Sequence, residues 1–282
     1  MKETFNHKLY SSFFLWFDHV LCTTGEAYTS GVTKFYPSEN TEYPGYKIFT
    51  SPYKQFVYDS SVPAPVLSGI APIGSNNFIG RGTSGVMLDY INGRIFTSTG
   101  VNVTGFSGVY SKKEFNIYNT NKDSQEFIFE KVMDNNKNLN KMNTGIGEEY
   151  AAPCVILTYA NSFNEGFTFG GQDKTESTIR AIIISKDIWQ QEGIQSIFRD
   201  TNHLPIPIIP AEEIPLNYFN DLKTGYYNYN ELIDKYAAPG QMPWINRVYA
   251  GKVSEDANKN DNYFVSYLEF DINTVRYSRQ NF

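Results

Sequence analysis

The sequence predicts a mainly β protein of the α+β class, built from antiparallel sheets or a sandwich, with an N-terminal amphipathic helix and long Pro-rich extended loops. A helical period of apolar residues is clearest near the N-terminus, whereas short alternating runs between turn signals fill most of the remaining chain. Aromatic residues make up 16% of the 282 residues, and such side chains pack well on pleated sheets. Because no break in composition marks a boundary, we expect a single β-rich structural domain over 1–282.

The N-terminal segment 1–24 is predicted to be a helix. Its apolar residues recur three and four positions apart and therefore share one helical face, formed by Phe5, Leu9, Phe13, Trp16 and Val20. Gly25 is a suitable stop, because glycine takes the left-handed conformation that follows many helices. We expect this helix to dock on the body of the protein or on a neighbouring molecule.

The segment 26–82 is predicted to be an extended Pro-rich arm or a set of long loops. Proline has no backbone N–H and removes donors from a strand ladder, which indicates edge strands or extended chain between Pro37, Pro44, Pro52, Pro63, Pro65 and Pro72. An arm that lies over a neighbouring subunit and loops that stay on their own chain are both open at this point.

The clearest local signal is a hairpin over 85–98. Two β-like runs flank Asn92-Gly93, a dipeptide that favours the type I′ turn because both central residues there need positive φ. Further strands are predicted at Glu114–Tyr118, Glu126–Met133, Cys154–Tyr159, Thr178–Ser185 and Tyr263–Ile272. A second helix is predicted at Asp187–Asp200, an extended linker at Pro205–Pro210, and a loop or short helix at Gly225–Tyr236.

The reactive residues do not form a recognisable catalytic set. Asp18, His19 and Cys22 are close in sequence, but catalytic Cys/His pairs normally come from separate elements around a cleft, and these three lie beside an apolar stripe. The chain has three histidines and no zinc-binding spacing. With two cysteines far apart, Cys22 and Cys154, we expect free thiols in a reducing compartment.

The remaining motifs also favour structural roles. Asp256–Tyr267 begins like a calcium loop but lacks the glycine at its sixth position and the glutamate at its twelfth. Gly166–Gly171 lacks the Lys-Ser/Thr of a phosphate-binding loop, and the acidic pairs Glu148-Glu149 and Glu212-Glu213 are expected to be solvated surface. We therefore expect no catalytic residue, no bound metal and no cofactor, and the chain is predicted not to be an enzyme.

Charge and hydropathy limit the partners that we expect. The net charge of −6 and the pI of about 5.2 argue against binding to DNA, and we expect no sequence-specific nucleic acid binding. No stretch approaches the roughly 20 apolar residues of a membrane-spanning helix. Because no secretory signal is recognisable, we expect the protein to be made and kept in the cytoplasm of its producer.

Several sequence stretches together resemble a group of virion structural proteins of tailed bacteriophages with long genomes. They are Phe17–Leu21, Gly25–Thr29, Tyr53–Ser61, Arg81–Gly85, Asp89–Arg94 and Glu114–Tyr118. The resemblance implies a place in the virion, after synthesis in the bacterial host cytoplasm. It also implies copies of the chain in a sixfold or twelvefold ring at the head–tail connector (neck) or in the tail, beside other virion proteins. An acidic ring would let DNA pass without sticking.

Aromatic residues are the candidate contact groups of such an assembly. Tyr226, Tyr227 and Tyr229 are possible interface residues, because tyrosine is enriched among the side chains that anchor protein contacts. The alternative is that these tyrosines fill a local core.

Two other functions stay open from the sequence. One is a carbohydrate- or receptor-binding β module of the tail or baseplate, with Trp16, Trp189 and Trp244 available to stack on sugars. Packing is the simpler role for Trp16 and Trp189, since both fall in predicted helices. The other is a hydrolase whose carboxylates are dispersed along the chain, a pattern that one sequence does not reveal.

Overall fold

A computed structural model describes most of the chain. The described residues are 5–38, 43–83, 85–98, 103–120, 152–166, 171–217, 222–223, 225–236, 242–252 and 263–277. Strands make up 46% of the structure and helices 19%, which confirms the mainly β class. The predictions for Glu126–Met133, for Glu148-Glu149 and for the start of the calcium-like loop lie outside the described residues.

Three helices and twelve strands occur in the described part of the chain. The helices are α1 (Phe5–Thr23), α2 (Ile188–Arg199) and α3 (Tyr229–Tyr236). The strands are β1 (Tyr28–Ser38), β2 (Tyr46–Thr50), β3 (Gly69–Pro72), β4 (Ile79–Gly80), β5 (Met87–Asp89), β6 (Arg94–Ser98), β7 (Phe106–Lys113), β8 (Asn116–Thr120), β9 (Cys154–Gly166), β10 (Asp173–Ser185), β11 (Trp244–Lys252) and β12 (Phe264–Arg276).

The chain divides into two compact units. Unit 1 comprises Met1–Gly25, Phe115–Ile214 and Glu231–Phe282, and unit 2 comprises Glu26–Glu114 and Pro215–Asn230. No change in composition marks the boundaries between the units, because both units consist of strands and turns. The single domain that we expect over 1–282 stays a prediction.

Unit 1 contains a five-stranded sheet in the order β11-β12-β10-β9-β8. Its central strands are long, and β10 pairs with β12 over all thirteen residues of Asp173–Ser185. Consecutive residues from Ala181 to Ile184 are buried, as expected where both faces of a strand are covered. The sheet is antiparallel except for β8, which runs parallel to β9, so the expectation of antiparallel sheets needs this one correction.

Helices α1 and α2 contribute an aromatic cluster to unit 1. The Phe17 ring stacks on Phe198 of α2 with centroids 4.0 Å apart, and Phe13 meets Phe270 of β12 edge-on at 5.0 Å. Helix α2 begins after Asp187, whose carboxylate accepts a hydrogen bond from the Gln190 backbone N–H. This N-cap satisfies a donor that the helix itself leaves unpaired.

Helix α1 confirms the predicted N-terminal helix, but it is more enclosed than an amphipathic surface helix. All residues from Ser12 to Asp18 are buried. The Ser12 hydroxyl accepts a hydrogen bond from the backbone N–H of Ile209, at 2.9 Å, and both Ile206 and Ile209 are fully buried. The segment 205–210, expected to be a linker, therefore packs against α1.

Unit 2 contains a seven-stranded sheet in the order β4-β3-β7-β1-β2-β6-β5. Strand β1 lies inside this sheet, because it pairs with β7 from Tyr28 to Phe35 and with β2 from Tyr36 to Ser38. Pro37 falls after the β7 ladder has ended, so its missing N–H removes no bond to β7. The segment 26–82 therefore contributes four strands to the sheet, and its Pro-rich residues lie mostly between them.

The predicted hairpin is present as β5 and β6, with a longer connection than a type I′ turn. Asp89 lies opposite Arg94, which leaves four residues in the loop instead of two. The Asp89 carboxylate accepts hydrogen bonds from the backbone N–H groups of Ile91 and Asn92, so the side chain stabilises this wider turn. Gly93 has φ +64°, whereas Asn92 does not have positive φ.

Candidate interaction surface

The seven-stranded sheet of unit 2 has one buried face and one exposed face. Side chains alternate between the two faces of a strand, so the residues of one face follow from the pairing register. The buried face carries the aromatic and aliphatic core residues Phe35, Phe49, Ile70, Ile95, Phe106 and Tyr110. Phe49 and Phe106 meet edge-on at 4.8 Å, as aromatic pairs in cores prefer.

The opposite face, here called the outer face, exposes an unusual number of large apolar side chains. The large apolar side chains of this face with at least a third of their surface accessible are Val32, Tyr36, Tyr46, Met87 and Val109, and Tyr43 lies beside them against Phe96. Val32 and Val109 are directly opposite each other on β1 and β7, and they are 72% and 55% exposed. A cross-strand pair of valines normally contributes to a sheet by packing under a covering layer.

The outer face continues from β1 across β2 to β6 and β5. Tyr36 lies opposite Thr50, and Ile48 of β2 lies opposite Phe96, which in turn lies opposite Met87. The Phe96 ring meets the Tyr43 and Tyr46 rings edge-on at 5.3 and 6.4 Å. Diagonal neighbours in a sheet are within reach of aromatic side chains, so Tyr36, Phe96 and Met87 form a continuous surface, whereas Ile48 between them is buried.

Few charges lie on the outer face. Its exposed charge is Lys34, and Asp89 lies directly opposite Arg94 on the neighbouring strand. Asp89 is half-buried and holds the β5–β6 turn through its carboxylate. No exposed acidic side chain therefore lies among the described strand residues of this face.

The structure separates the three predicted interface tyrosines. Tyr226 is 41% exposed, with the Arg81 guanidinium 5.8 Å from its ring centroid. Tyr227 is buried, packs beside Tyr58 and accepts a hydrogen bond from the Ser60 backbone N–H. A side chain buried in its own chain offers no surface to a partner, so the contact prediction is kept for Tyr226 alone.

Tyr229 is also buried, at the first residue of α3. Its backbone N–H donates to the Asp59 carboxylate at 3.0 Å, and the same oxygen accepts from the backbone N–H and hydroxyl of Ser61. Burial raises the pKa of the Tyr229 phenol well above its ordinary value, and the nearby Asp59 carboxylate raises it further. Tyr229 therefore fills a local core, which was the alternative to an interface role.

The tryptophans differ in the same way. Trp16 is packed among Phe13, Phe198 and Phe270, as expected for a residue of α1. Trp189, by contrast, is 80% exposed in the first turn of α2, beside the partly exposed Ile188. The packing role expected for Trp189 is therefore wrong, because the buried side of α2 is formed by Gln191, Ile194, Gln195 and Phe198.

The reactive residues remain dispersed. Cys22 is buried, and its sulfur lies 4.0 Å from the Asp18 carboxylate one turn earlier on α1. Cys154 is buried in the apolar cluster of β9 and β10. Glu212 and Glu213 are exposed, and Glu213 pairs with Lys235. Among the described residues, no group of three histidines, cysteines or carboxylates is placed to hold a metal ion.

Compared with known proteins, the chain matches no protein-family model and no curated protein. In the described part of the chain, no helix has both the length and the apolar character needed to span a bilayer.

Sequence reasoning did not identify the outer face. The run Val32, Lys34 and Tyr36 alternates with Thr33 and Phe35, which is a strand signal. Both sets contain apolar residues, however, so the alternation does not reveal which side faces the core. Only the register with β7 and β2 assigns Phe35 to the core and its neighbours to the outer face.

Proposed function

We propose that this chain is a non-catalytic structural protein of a tailed-phage virion, which assembles as a homo-oligomeric ring at the head–tail connector or in the tail. The observation that carries the proposal is the outer face, an exposed apolar and aromatic sheet surface with few charges. Surfaces of this kind mark sites of protein–protein contact more often than they occur on proteins that act alone.

The sequence resemblance supplies the place in the virion, and the outer face supplies the means of assembly. In such a role the protein works by complementarity alone, because aromatic side chains at a subunit contact bury large areas with few rotatable bonds. Tyr226, with Arg81 against its ring, is a second exposed aromatic available to a neighbour. The acidic charge of the chain favours passage of DNA through such a ring without binding.

The mass of the protein in solution tests self-assembly. We expect light scattering on a sizing column to find six or twelve copies, and negative-stain images to show closed rings. A protein that remains monomeric up to its solubility limit contradicts the proposal. Antibody labelling tests the place in the virion: gold at the neck or tail of particles of the encoding phage is expected, and its absence from purified particles argues against that place.

A second candidate function, a carbohydrate- or receptor-binding module, is favoured by Trp189. An exposed indole can stack on a sugar ring, and Glu192, one turn later on α2, forms an ion pair with Lys252 at 2.8 Å. Polar groups beside an aromatic platform are the usual composition of small-ligand sites.

A glycan array separates this candidate from the first. If the module binds a sugar at Trp189, the substitution Trp189→Ala should weaken binding of that glycan at least about tenfold, the loss of roughly one stacking contact. Tyr249→Ala is the matched control, because Tyr249 is an exposed aromatic on β11 of the same unit. Absence of glycan binding by the wild-type protein removes the candidate.

A further inference from the structure

We propose that the outer face of unit 2 packs against the outer face of a second copy, so that the assembly is built from two-fold pairs. This inference rests on the proposed function and goes beyond it, because it assigns the self-contact to one surface and gives its symmetry. The surface is centred on the Val32–Val109 pair and on Tyr36, and it extends to Phe96 and Met87.

The exposed area of the outer face approaches what one side of a protein pair needs. A large side chain that is half accessible exposes roughly 100 Å², so the six exposed residues of the outer face leave on the order of 600 Å². The largest apolar patch of a typical monomer is about 300–600 Å², and a stable interface takes roughly 800 Å² from each partner. With its half-buried residues, such as Phe96 and Thr50, the outer face approaches the area of one side of an interface.

The charge of the surface favours a second copy over another partner. A two-fold contact brings together the same surface of both copies, so a face with charges of one sign repels its partner. An acidic protein would repel itself in this way through most of its surface. Among the described residues of the outer face, Lys34 is the one exposed charge, while Asp89 and Arg94 lie opposite each other. Self-association through this face is therefore not opposed by the overall charge of −6.

The geometry of a sheet face also fits a pair. Two sheets that pack face to face lie about 10 Å apart with their side chains interdigitated, as in a β-sandwich. A two-fold contact closes on itself, so a ring made from such pairs needs a second, different contact and has an even number of copies. Six copies then form a ring of threefold symmetry, and twelve copies form a ring of sixfold symmetry.

Substitution of the two central valines by lysine tests the inference. The double substitution Val32→Lys and Val109→Lys puts four additional positive charges into each pair of faces, and we expect it to weaken the pairing about 100-fold or more. Because both valines are exposed, the fold should be retained, which circular dichroism checks. The single substitution Val32→Lys, at the more exposed position, is the second variant and should weaken pairing in the same direction.

The matched control is Phe163→Lys. Phe163 is an exposed apolar residue on β9 of the other sheet, opposite Glu176, so an added lysine there should leave the mass of the assembly unchanged. Light scattering over a range of concentrations is the measurement for all four proteins.

The outcomes separate this inference from the proposed function. If the wild type assembles and the double variant keeps the same mass, the outer face is not the contact, while the proposed function stands. If the wild type forms only dimers that the double variant dissociates, the inference stands and the ring is contradicted. A wild type that is monomeric at every concentration overturns both.

Discussion

Replacing Phe17 by alanine is expected to lower the free energy of unfolding by about 3–5 kcal/mol, the usual loss for a large aromatic residue in a core. The Phe17 ring is fully buried, stacks on Phe198 and meets Phe270 edge-on. Its removal leaves a cavity between α1, α2 and β12, whose backbones fix the distance between them. The neighbouring rings therefore cannot close the cavity without moving a helix or a strand.

Urea denaturation followed by circular dichroism measures this loss. The matched control is Phe163→Ala, which removes the same ring from an exposed position in the same unit and should change the free energy of unfolding by less than about 0.5 kcal/mol. Equal losses for the two variants, or a loss below about 1 kcal/mol for Phe17→Ala, would show that α1 does not pack on the sheet as described.

Helix α1, which contains Phe17, illustrates how far the sequence predicts the fold. The spacing of Leu9, Phe13 and Trp16 fixes a helix and its principal buried face, because a local period of 3.6 residues needs no knowledge of the partner. The hydrogen bond that Ser12 accepts at the flank of this face depends on Ile209, almost two hundred residues later. No local pattern encodes that contact.

Long-range pairing explains the other differences. The parallel pairing of β8 with β9 joins segments that are more than thirty residues apart in sequence. No periodicity distinguishes parallel from antiparallel neighbours in a short apolar run. In the same way, the division into units depends on Glu26–Glu114 forming its own sheet. Proline content suggested an edge for this segment, but Pro37 lies where β1 has already changed partner.

Burial of individual aromatic residues was the least predictable part of the candidate surface. Tyr226, Tyr227 and Tyr229 are nearly adjacent, yet two are buried and one is exposed, because the segment passes Tyr58 and Asp59 before α3 begins. The exposure of Trp189, by contrast, follows from helical spacing. Trp189 falls on the side of α2 opposite Ile194 and Phe198, which are both buried.

Gly93 is where a sequence signal and a structural constraint coincide, and Gly93→Ala is expected to lower the free energy of unfolding by about 2–4 kcal/mol. Gly93 has φ +64°, and a Cβ there would overlap the backbone carbonyl oxygen of Tyr53, with that of Lys54 at 2.8 Å. Gly82→Ala isolates the strain that positive φ alone causes, without the overlap. Gly82 has φ +73° with nothing within 4 Å of the added Cβ, so its substitution should cost only the left-handed strain of alanine, about 1 kcal/mol.

The difference between these two glycine variants, measured by urea denaturation, therefore reports the close approach of the 53–54 backbone to the β5–β6 loop. That approach is accompanied by the hydrogen bond from the Ser51 N–H to the Gly93 carbonyl oxygen, at 2.9 Å. Equal losses for Gly93→Ala and Gly82→Ala would mean that positive φ alone requires glycine at both sites. In that case the loop does not pack on residues 53–54. A larger loss at Gly93 shows that the Asn92-Gly93 signal encodes tertiary packing in addition to a turn.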